Sequence, residues 1–391
     1  MKKIAIFGAP CNNTNLGCMA LTYSLIHLLE ELAAEENDAY HYYIFEGNPS
    51  KKATERVEDE LNLQRGKLVS FPLFYIKDFV RFVAFALHNV KLLRALKECD
   101  VAIDMTQGDS FSDIYGEERF NLSSNIKQLV ERVGMELILG PQTYGPFQKE
   151  KNANKAGKIL QSARCIMARD CLSGELVKKL SGKNAIITTD LAFQLPWNQQ
   201  KISGEVKKIG VNVSALLVKN KIESTQTQFE LKTDYDQYLT ELLKWLCDRH
   251  YEIHLIPHVS EDYVAAQRFH SLFPLSVLEK MFETPMEAKS LISGMDIFIG
   301  ARMHATIAAV SSGVATIPLA YSPKFQSLFE LIGYNHVVDM QTMSTKCALE
   351  MTKNLVLSKD SVANDAVHSA EVCEKYKIIT KNCLRTAIYK K

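Results

Sequence analysis

Short apolar segments that alternate with helical segments run along most of this chain, and they constrain its fold more than any other feature. In the first half, an apolar segment at residues 4–8 precedes a segment at 18–32 whose apolar residues recur at helical spacing. The same order returns in the second half, with an apolar segment at 209–213 and a helical pattern at 235–249. Strands that alternate with helices favour parallel sheets, so the sequence predicts an α/β protein with one parallel sheet in each half.

Chain length and one polar segment predict where the domains divide. A single hydrophobic core rarely grows beyond about 250–300 residues, and this chain has 391. The segment at 196–208 is polar, with proline, glycine and lysine, as is typical of a linker. We therefore expect two Rossmann-like domains, at residues 1–195 and 205–340, in a GT-B-like arrangement around a central cleft. A helical tail is expected at 341–391.

The charge balance and the cysteines exclude several classes of function. Lys and Arg together number 46 against 45 Asp and Glu, so no overall positive charge favours nucleic acid. The nine cysteines are scattered without a C-x-x-C pair, which indicates reduced thiols rather than a zinc or redox site. No uncharged apolar run reaches about 18 residues, and the first residues resemble a strand more than a signal peptide. We therefore expect a cytoplasmic protein without a transmembrane helix.

An arginine and a histidine two residues apart form the most distinctive local motif. Arg302 and His304 lie where a predicted strand at 296–300 ends and a helix begins. In open α/β sheets ligands bind at the carboxyl ends of strands, and a helix N-terminus there favours an anion. Arg302 can hold a phosphate or carboxylate with two parallel hydrogen bonds, and His304 can exchange a proton near neutral pH. The alternative is a surface arginine beside a histidine packed in the core.

The loop after the first predicted strand contains no known nucleotide-binding fingerprint. Gly8 is not followed by the other glycines of G-x-G-x-x-G, and G-x-x-x-x-G-K-[ST] is absent as well. The loop at 12–17 includes Asn15 and Gly17. It either presents amides and backbone N–H groups to a polar ligand or forms a turn that caps the next helix.

Two further loops follow predicted strands and carry candidate site residues. Asp109 and Asp113 can bind sugar hydroxyls or act as a base, although Asp and Ser are also common in turns and helix caps. In the loop at 141–147 two prolines restrict the backbone, and Gln142 or Tyr144 could line a pocket.

Arg169 also follows a predicted strand, which makes it a second candidate for binding an anion. The alternative is a surface ion pair with Asp170 or Glu175. The sequence alone leaves both interpretations open.

The segment at 71–96 combines many phenylalanines with a few charged residues. One interpretation is an amphipathic helix that rests on a membrane surface. The other, which we favour, is a helix or helical hairpin that packs on the sheet.

In their order along the chain, these segments resemble the polysaccharide pyruvyl transferase family, over roughly residues 1–335. No single motif decides the resemblance, and the R-x-H-A and G-P-Q-x-x-G-P-F elements contribute most. The elements are Asn15-x-Gly17, Gly108-Asp109-Ser110-Phe111-Ser112-Asp113, the run at 140–147, Ala168-Arg169-Asp170-x-x-Ser173, the run at 190–193, the run at 299–305, and Tyr321-x-x-Lys324. The chain departs from the family in two places: Thr106 and Gln107 stand where many members have glycine, and Cys18 stands where many have an acidic residue.

The resemblance implies transfer from phosphoenolpyruvate to a sugar, which forms a pyruvate ketal across two hydroxyls of a surface polysaccharide or its lipid-linked precursor. It places the acceptor in the first domain and the donor in the second. Arg169 and Arg302 match the family's arginines, and His304 matches its histidine, with the role of general acid. Asp109 and Asp113 are our candidates for the base.

The substrate-binding set is completed by Asn15, Gly17, Gln142, Tyr144 and Lys324. The scheme needs no metal and no organic cofactor. A lipid-linked acceptor would bring a cytoplasmic enzyme into peripheral contact with the inner face of the membrane.

Two other functions remain open at this point. A GT-B glycosyltransferase that uses a nucleotide sugar shares the expected architecture, although the second half shows no obvious nucleotide-diphosphate signature. A catalytically silent glycan-binding protein on the same fold is the third candidate, because the glycine-poor loop before Gly108 departs from the family.

Overall fold

The computed structural model of the chain describes residues 1–73, 79–199, 207–218 and 230–389. The chain divides into two compact units. The first comprises residues 1–13, 18–194 and 375–391, and the second comprises 14–17 and 195–374. The helical tail expected at 341–391 is therefore shared by the two units. The middle of the expected linker, at 200–206, lies outside the described residues.

A seven-stranded parallel sheet forms the centre of the first unit, in the order β3-β2-β1-β4-β5-β6-β7. The buried faces of β1, β4 and β5 read as nearly continuous apolar runs, as expected for strands covered on both faces. The strands are β1 (Lys2–Phe7), β2 (Tyr40–Glu46), β3 (Leu68–Pro72), β4 (Val101–Asp104), β5 (Leu137–Gln142), β6 (Cys165–Ala168) and β7 (Ile186–Ile187).

Helices connect successive strands of this sheet. They are α1 (Leu16–Glu35), α2 (Lys51–Glu60), α3 (Phe79–His88), α4 (Val90–Lys97), α5 (Glu117–Arg132), α6 (Glu150–Ser162) and α7 (Cys171–Ser181). Local capping explains where several begin. Asp170, for example, accepts a hydrogen bond from Ser173 N at the start of α7, the usual role of an N-cap carboxylate.

The second unit repeats this plan with a six-stranded parallel sheet in the order β10-β9-β8-β11-β12-β13. The strands are β8 (Lys208–Asn212), β9 (Glu252–Leu255), β10 (Val277–Leu278), β11 (Ile297–Gly300), β12 (Ala315–Ala320) and β13 (Val338–Asp339). The helices are α8 (Tyr235–Cys247), α9 (Ser260–Leu272), α10 (Pro285–Ile292), α11 (Met303–Ser311), α12 (Pro323–Leu331), α13 (Thr345–Leu357) and α14 (Lys359–Tyr389). The predicted α/β class with one parallel sheet in each half is confirmed.

The strand order fixes where each unit can bind a ligand. In both sheets the chain starts in the middle, builds outward on one side, and then returns to build the other side. The reversal lies between β1 and β4 in the first unit and between β8 and β11 in the second. In doubly wound sheets ligands bind outside the carboxyl ends of the strands at this switch point.

The expectation of a helix or helical hairpin at 71–96 needs correction. The segment at 71–96 is not all helical, because Phe71 pairs with Phe45 as part of β3 before α3 and α4 begin. Residues 74–78 lie outside the described residues. On α3 and α4, Val80, Leu87 and Val90 are exposed, and contact of this surface with a membrane stays a prediction.

The helix α1 has the length and hydropathy of a helix that could cross a membrane. Of its most apolar window, however, 83% is buried in the fold. Core helices of parallel-sheet domains meet the same length and hydropathy criteria, so this resemblance is weak evidence for a membrane span.

Candidate functional site

Arg302 lies at the carboxyl end of β11 and forms the N-cap of α11. Its backbone N–H donates to the Asn212 side-chain oxygen at 3.0 Å, which ties the loop to the end of the neighbouring strand β8. The switch point of the second sheet therefore coincides with a helix N-terminus. The first N–H groups of a helix lie outside its hydrogen-bond ladder and favour an anion.

The guanidinium of Arg302 is held by a buried carboxylate. Nε lies 3.0 and 3.2 Å from the two Asp262 oxygens, and Nη2 lies 2.8 Å from one of them. Asp262 is fully buried, and the arginine side chain is 17% exposed. Burial alone would lower the pKa of Arg302, but the Asp262 carboxylate outweighs burial and raises it. The charge is therefore permanent and its orientation is fixed.

His304 occupies the first turn of α11, where Gly17 leaves room for its ring. A methyl group at Gly17 would lie 2.6 Å from Cγ of His304 and closer still to Nδ1. The amide oxygen of Asn15 accepts a hydrogen bond from Gly17 N at 2.9 Å and so holds this turn. The structure thus brings three sequence-predicted residues, Asn15, Gly17 and His304, together within the second unit.

A second histidine, which the sequence analysis missed, lies near Arg302 and His304. His258 follows β9 and is only 4% exposed, and neither ring nitrogen has a hydrogen-bond partner among the described residues. Burial, together with the nearby charges of His304 and Arg302, lowers the pKa of His258 to about 3. The ring is therefore neutral at physiological pH and offers one donor and one acceptor. The fully buried hydroxyl of Ser214, after β8, also lacks a partner there.

Lys324 and Tyr321 follow β12, the next strand of the same sheet. Lys324 is half-buried in the first turn of α12, and Tyr321 contributes to the electrostatic environment of Arg302. The strand ends of β8, β9, β11 and β12 thus carry Ser214, His258, Arg302 and Tyr321 along one edge of the second sheet.

Arg169 is buried in the first unit rather than exposed. It forms an ion pair with Asp190, and its Nε donates to Thr143 Oγ1 at 2.8 Å. Burial opposes the charge, but the carboxylates of Asp190, Asp109 and Asp170 outweigh burial and raise the pKa of Arg169. The alternative of a surface ion pair is therefore wrong, and the binding of an anion by Arg169 stays a prediction.

The two candidate bases differ in their surroundings. Asp113 accepts hydrogen bonds from Gln148 N at 2.7 Å, Lys149 N at 3.1 Å and Asn152 Nδ2 at 2.9 Å. Burial would raise the pKa of Asp113, but these bonds lower it. A carboxylate with three donors and a lowered pKa is a poor base, so Asp113 is better explained as an anchor for the segment that leads into α6.

Asp109 is half-buried and accepts a hydrogen bond from the Tyr115 hydroxyl at 2.6 Å. Its role as a base stays a prediction.

Gln142 and Tyr144 lie in the core rather than on an open surface. Gln142 is fully buried and donates to Asp104 O at 3.1 Å. Tyr144 is 2% exposed, and its hydroxyl donates to Met167 O at 3.1 Å while its ring packs edge-on against Phe111. Both side chains connect the ends of β4, β5 and β6, and Oε1 of Gln142 has no hydrogen-bond partner among the described residues. That either side chain lines a substrate pocket stays a prediction.

The loop at 106–108 adopts an unusual backbone. Thr106, Gln107 and Gly108 have φ values of 41°, 53° and 85°, all in the left-handed region. Glycine adopts this conformation without strain. The β-branched Thr106 is an outlier there, and its backbone strain costs about 1–3 kcal/mol of stability. The buried pair of Asp104 and Lys127, 2.8 Å apart, holds Thr106 Oγ1 from both sides.

Metal ligands do not cluster in the described part of the chain: no group of three or more His, Cys, Asp or Glu residues there could hold a metal ion.

Residues 15–323 match the family described as polysaccharide pyruvyl transferase. No curated protein matches the sequence.

Several solved structures share the fold at low sequence identity. S. aureus MnaA in complex with UDP is 11% identical with a TM-score of 0.61, over 99% of this chain and 96% of that one. The UDP-GlcNAc 2-epimerase from Neisseria meningitidis bound to UDP-GlcNAc is 11% identical with a TM-score of 0.59, over 98% and 100%. Acinetobacter baumannii MurG is 11% identical with a TM-score of 0.52, over 98% and 100%. The predicted GT-B-like fold is thus confirmed, and at this identity the likeness concerns the fold alone.

Proposed function

Because this chain belongs to the polysaccharide pyruvyl transferase family, we propose that it transfers the pyruvyl group of phosphoenolpyruvate to two hydroxyls of a saccharide. The family indicates a transferase that acts on polysaccharides. The donor, the ketal product and the roles of individual residues are our proposal. The observation that supports it most is the fixed, permanently charged Arg302 at a helix N-terminus beside His304 and His258.

This group of residues suits a small anion with more than one charged group. Phosphoenolpyruvate carries a phosphate and a carboxylate, and Arg302, the N-terminus of α11 and Lys324 supply positive charge or N–H groups near the strand ends. The neutral His258 can donate one hydrogen bond to such a ligand without adding charge. Its two ring nitrogens are costly to bury without partners, and a bound anion would remove part of that cost.

The chemistry of the donor assigns His304 the role of a proton donor. Protonation of the methylene carbon gives a methyl group and develops positive charge at the central carbon. One sugar hydroxyl attacks this carbon, the carbon–oxygen bond to phosphate breaks, and the second hydroxyl closes the ketal. Of the two hydroxyl protons released, one balances the proton taken up by the methylene carbon, and the other leaves with inorganic phosphate.

A product analysis tests this function. The protein is incubated with phosphoenolpyruvate labelled with ¹³C at its central carbon and a mixture of methyl glycosides of common hexoses and N-acetylhexosamines. We expect a new ¹³C signal of a ketal carbon that grows in proportion to released phosphate, and its loss in His304→Gln. His270→Gln is the matched control, because His270 lies on α9 of the same unit and forms its hydrogen bond with Ser276. Transfer of a sugar from UDP-N-acetylglucosamine without any ketal signal would instead favour a glycosyltransferase.

A further inference from the structure

A cavity of about 770 Å³ opens at the switch point of the first sheet. Its walls come from the loop after β1, the end of β2, the strained loop after β4 and one face of α5. This volume is within the range of small-molecule sites, and the position is where a doubly wound sheet binds its ligand. We call it the Glu46 cavity, after the buried carboxylate in its wall.

Glu46 is the last residue of β2 and is 4% exposed. Its Oε2 accepts hydrogen bonds from the backbone N–H groups of Cys11 at 3.0 Å and Asn12 at 3.2 Å. Its Oε1 is buried and has no hydrogen-bond partner among the described residues. Burial raises the pKa of Glu46 to about 7, although the two backbone N–H groups oppose the shift. A buried carboxylate oxygen without a partner is costly, and a ligand that donates to it would remove the cost.

The charges of the wall do not favour an anionic occupant. Glu46 and Glu118 line the cavity together with the basic side chain of Arg119, and the lining carboxylate of Asp104 is already paired with Lys127. Arg119 donates through its Nη2 to Gln107 Oε1 at 2.6 Å and to Ser110 Oγ at 2.7 Å. Without an excess of positive charge, the wall offers a phosphate or nucleotide diphosphate little electrostatic attraction.

The remaining polar groups of the wall suit a ligand with many hydroxyls. Asn12, Asn13 and Asn48 contribute amides to the lining, and Ser110 contributes a hydroxyl. Tyr115 is 44% exposed and lines the cavity with its aromatic ring, over which the Arg119 guanidinium lies 5.2 Å from the centroid. Amides and carboxylates exchange hydrogen bonds with hydroxyls, and an aromatic ring covers the apolar face of a pyranose.

We infer that the Glu46 cavity binds a neutral saccharide and that Glu46 Oε1 accepts a hydrogen bond from one of its hydroxyls. The identification of this saccharide as the acceptor rests on the proposed function, whereas the binding itself does not. The strained backbone at Thr106 and Gln107 lines the same cavity, as expected where a loop is shaped for a ligand rather than for stability.

Saturation-transfer difference NMR tests this inference with the full chain. The probes are methyl glycosides of glucose, galactose, mannose, N-acetylglucosamine and N-acetylmannosamine, each at up to 20 mM. We expect transfer to at least one of them, with affinity that increases as the pH rises through about 7, because the ionised carboxylate is the better acceptor. Glu46→Gln should weaken that binding about ten-fold or more. Ser123→Phe adds bulk to the α5 wall of the cavity without touching Glu46 and should abolish it.

Glu58→Gln is the matched control, since Glu58 is another buried glutamate of the first unit whose Oε1 already accepts from Leu68 N at 2.8 Å. Its glycoside affinity should equal that of the wild type. No transfer to any glycoside, or equal transfer to wild type and Glu46→Gln, would overturn the inference.

Phosphoenolpyruvate binding is measured on the same samples. Retained glycoside binding without phosphoenolpyruvate binding would contradict the proposed function alone. The reverse pattern would contradict the Glu46 cavity alone.

Discussion

The packing of His304 against Gly17 gives a steric prediction with a defined magnitude. In Gly17→Ala the new methyl group would lie 2.6 Å from Cγ of His304. Carbon atoms pack at about 3.5–4.0 Å, so the ring must move by about 1 Å. The clash involves a ring atom bonded to Cβ, so rotation of a flexible end cannot relieve it. A displacement of about 1 Å at a catalytic group typically costs about 10²-fold in rate, equivalent to about 2.7 kcal/mol of transition-state stabilisation.

The assay is kcat/KM for phosphate release from phosphoenolpyruvate in the presence of an accepting glycoside, together with urea unfolding. Because alanine favours helix over glycine, the free energy of unfolding should stay within about 1 kcal/mol of wild type. Gly174→Ala is the control: Gly174 lies inside α7, where a methyl group would meet only the mobile end of Ile187. If Gly17→Ala kept at least half of the wild-type kcat/KM, the steric reasoning would be refuted.

Three further variants test other parts of the structure by urea unfolding. Asp262→Ala leaves the Arg302 guanidinium buried without its carboxylate and should lower the free energy of unfolding by about 3–5 kcal/mol. The control is Asp248→Ala at an exposed position, which should change the free energy of unfolding by less than about 0.5 kcal/mol. His258→Leu removes two unpartnered ring nitrogens and should raise stability at pH 7 by about 1 kcal/mol. Between about pH 6.5 and pH 3 the imidazole of His258 is protonated in the unfolded chain but neutral in the folded one, so the free energy of unfolding of the wild type falls as the pH falls. His258→Leu lacks this group and should lose that part of the pH dependence. The same pH dependence in variant and wild type would contradict the prediction. Gln107→Gly relieves a left-handed backbone and should stabilise by about 1 kcal/mol, while Gln267→Gly, inside α9, should destabilise by a similar amount.

The two-sheet architecture could be predicted because it depends on periodic patterns. Apolar strands and amphipathic helices alternate in the sequence, and each pattern reports a local structure directly. The rule that ligands bind at the carboxyl ends of parallel strands drew attention to Arg302 and His304, and both lie, as predicted, at the start of α11. The two-residue strands β10 and β13 escaped prediction, because segments so short show no period.

Partners that come from distant parts of the chain could not be predicted. Asp262 lies 40 residues from Arg302, and no local pattern pairs them. His258 and Glu46 follow the same strand-end rule as Arg302, so that rule, applied to every predicted strand, would have found them. What the sequence could not show is that their side chains are buried with polar atoms unpaired. Conversely, Asp113 and Tyr144 lie in loops after strands, but hydrogen bonds to neighbouring loops and strands already occupy their polar atoms.

The most direct test of the central claim is isothermal titration of phosphoenolpyruvate into the wild type, Arg302→Lys and Arg268→Lys. Lysine keeps the charge beside Asp262 but lacks the planar fork that binds an oxyanion with two hydrogen bonds. Arg268 belongs to the same unit, is half exposed and forms an ion pair with Asp236, so it serves as the control. We predict that phosphoenolpyruvate binds the wild type and Arg268→Lys equally and binds Arg302→Lys at least about ten-fold more weakly. Equal binding by all three proteins, or no binding of phosphoenolpyruvate alongside clear binding of UDP-N-acetylglucosamine, would contradict the account.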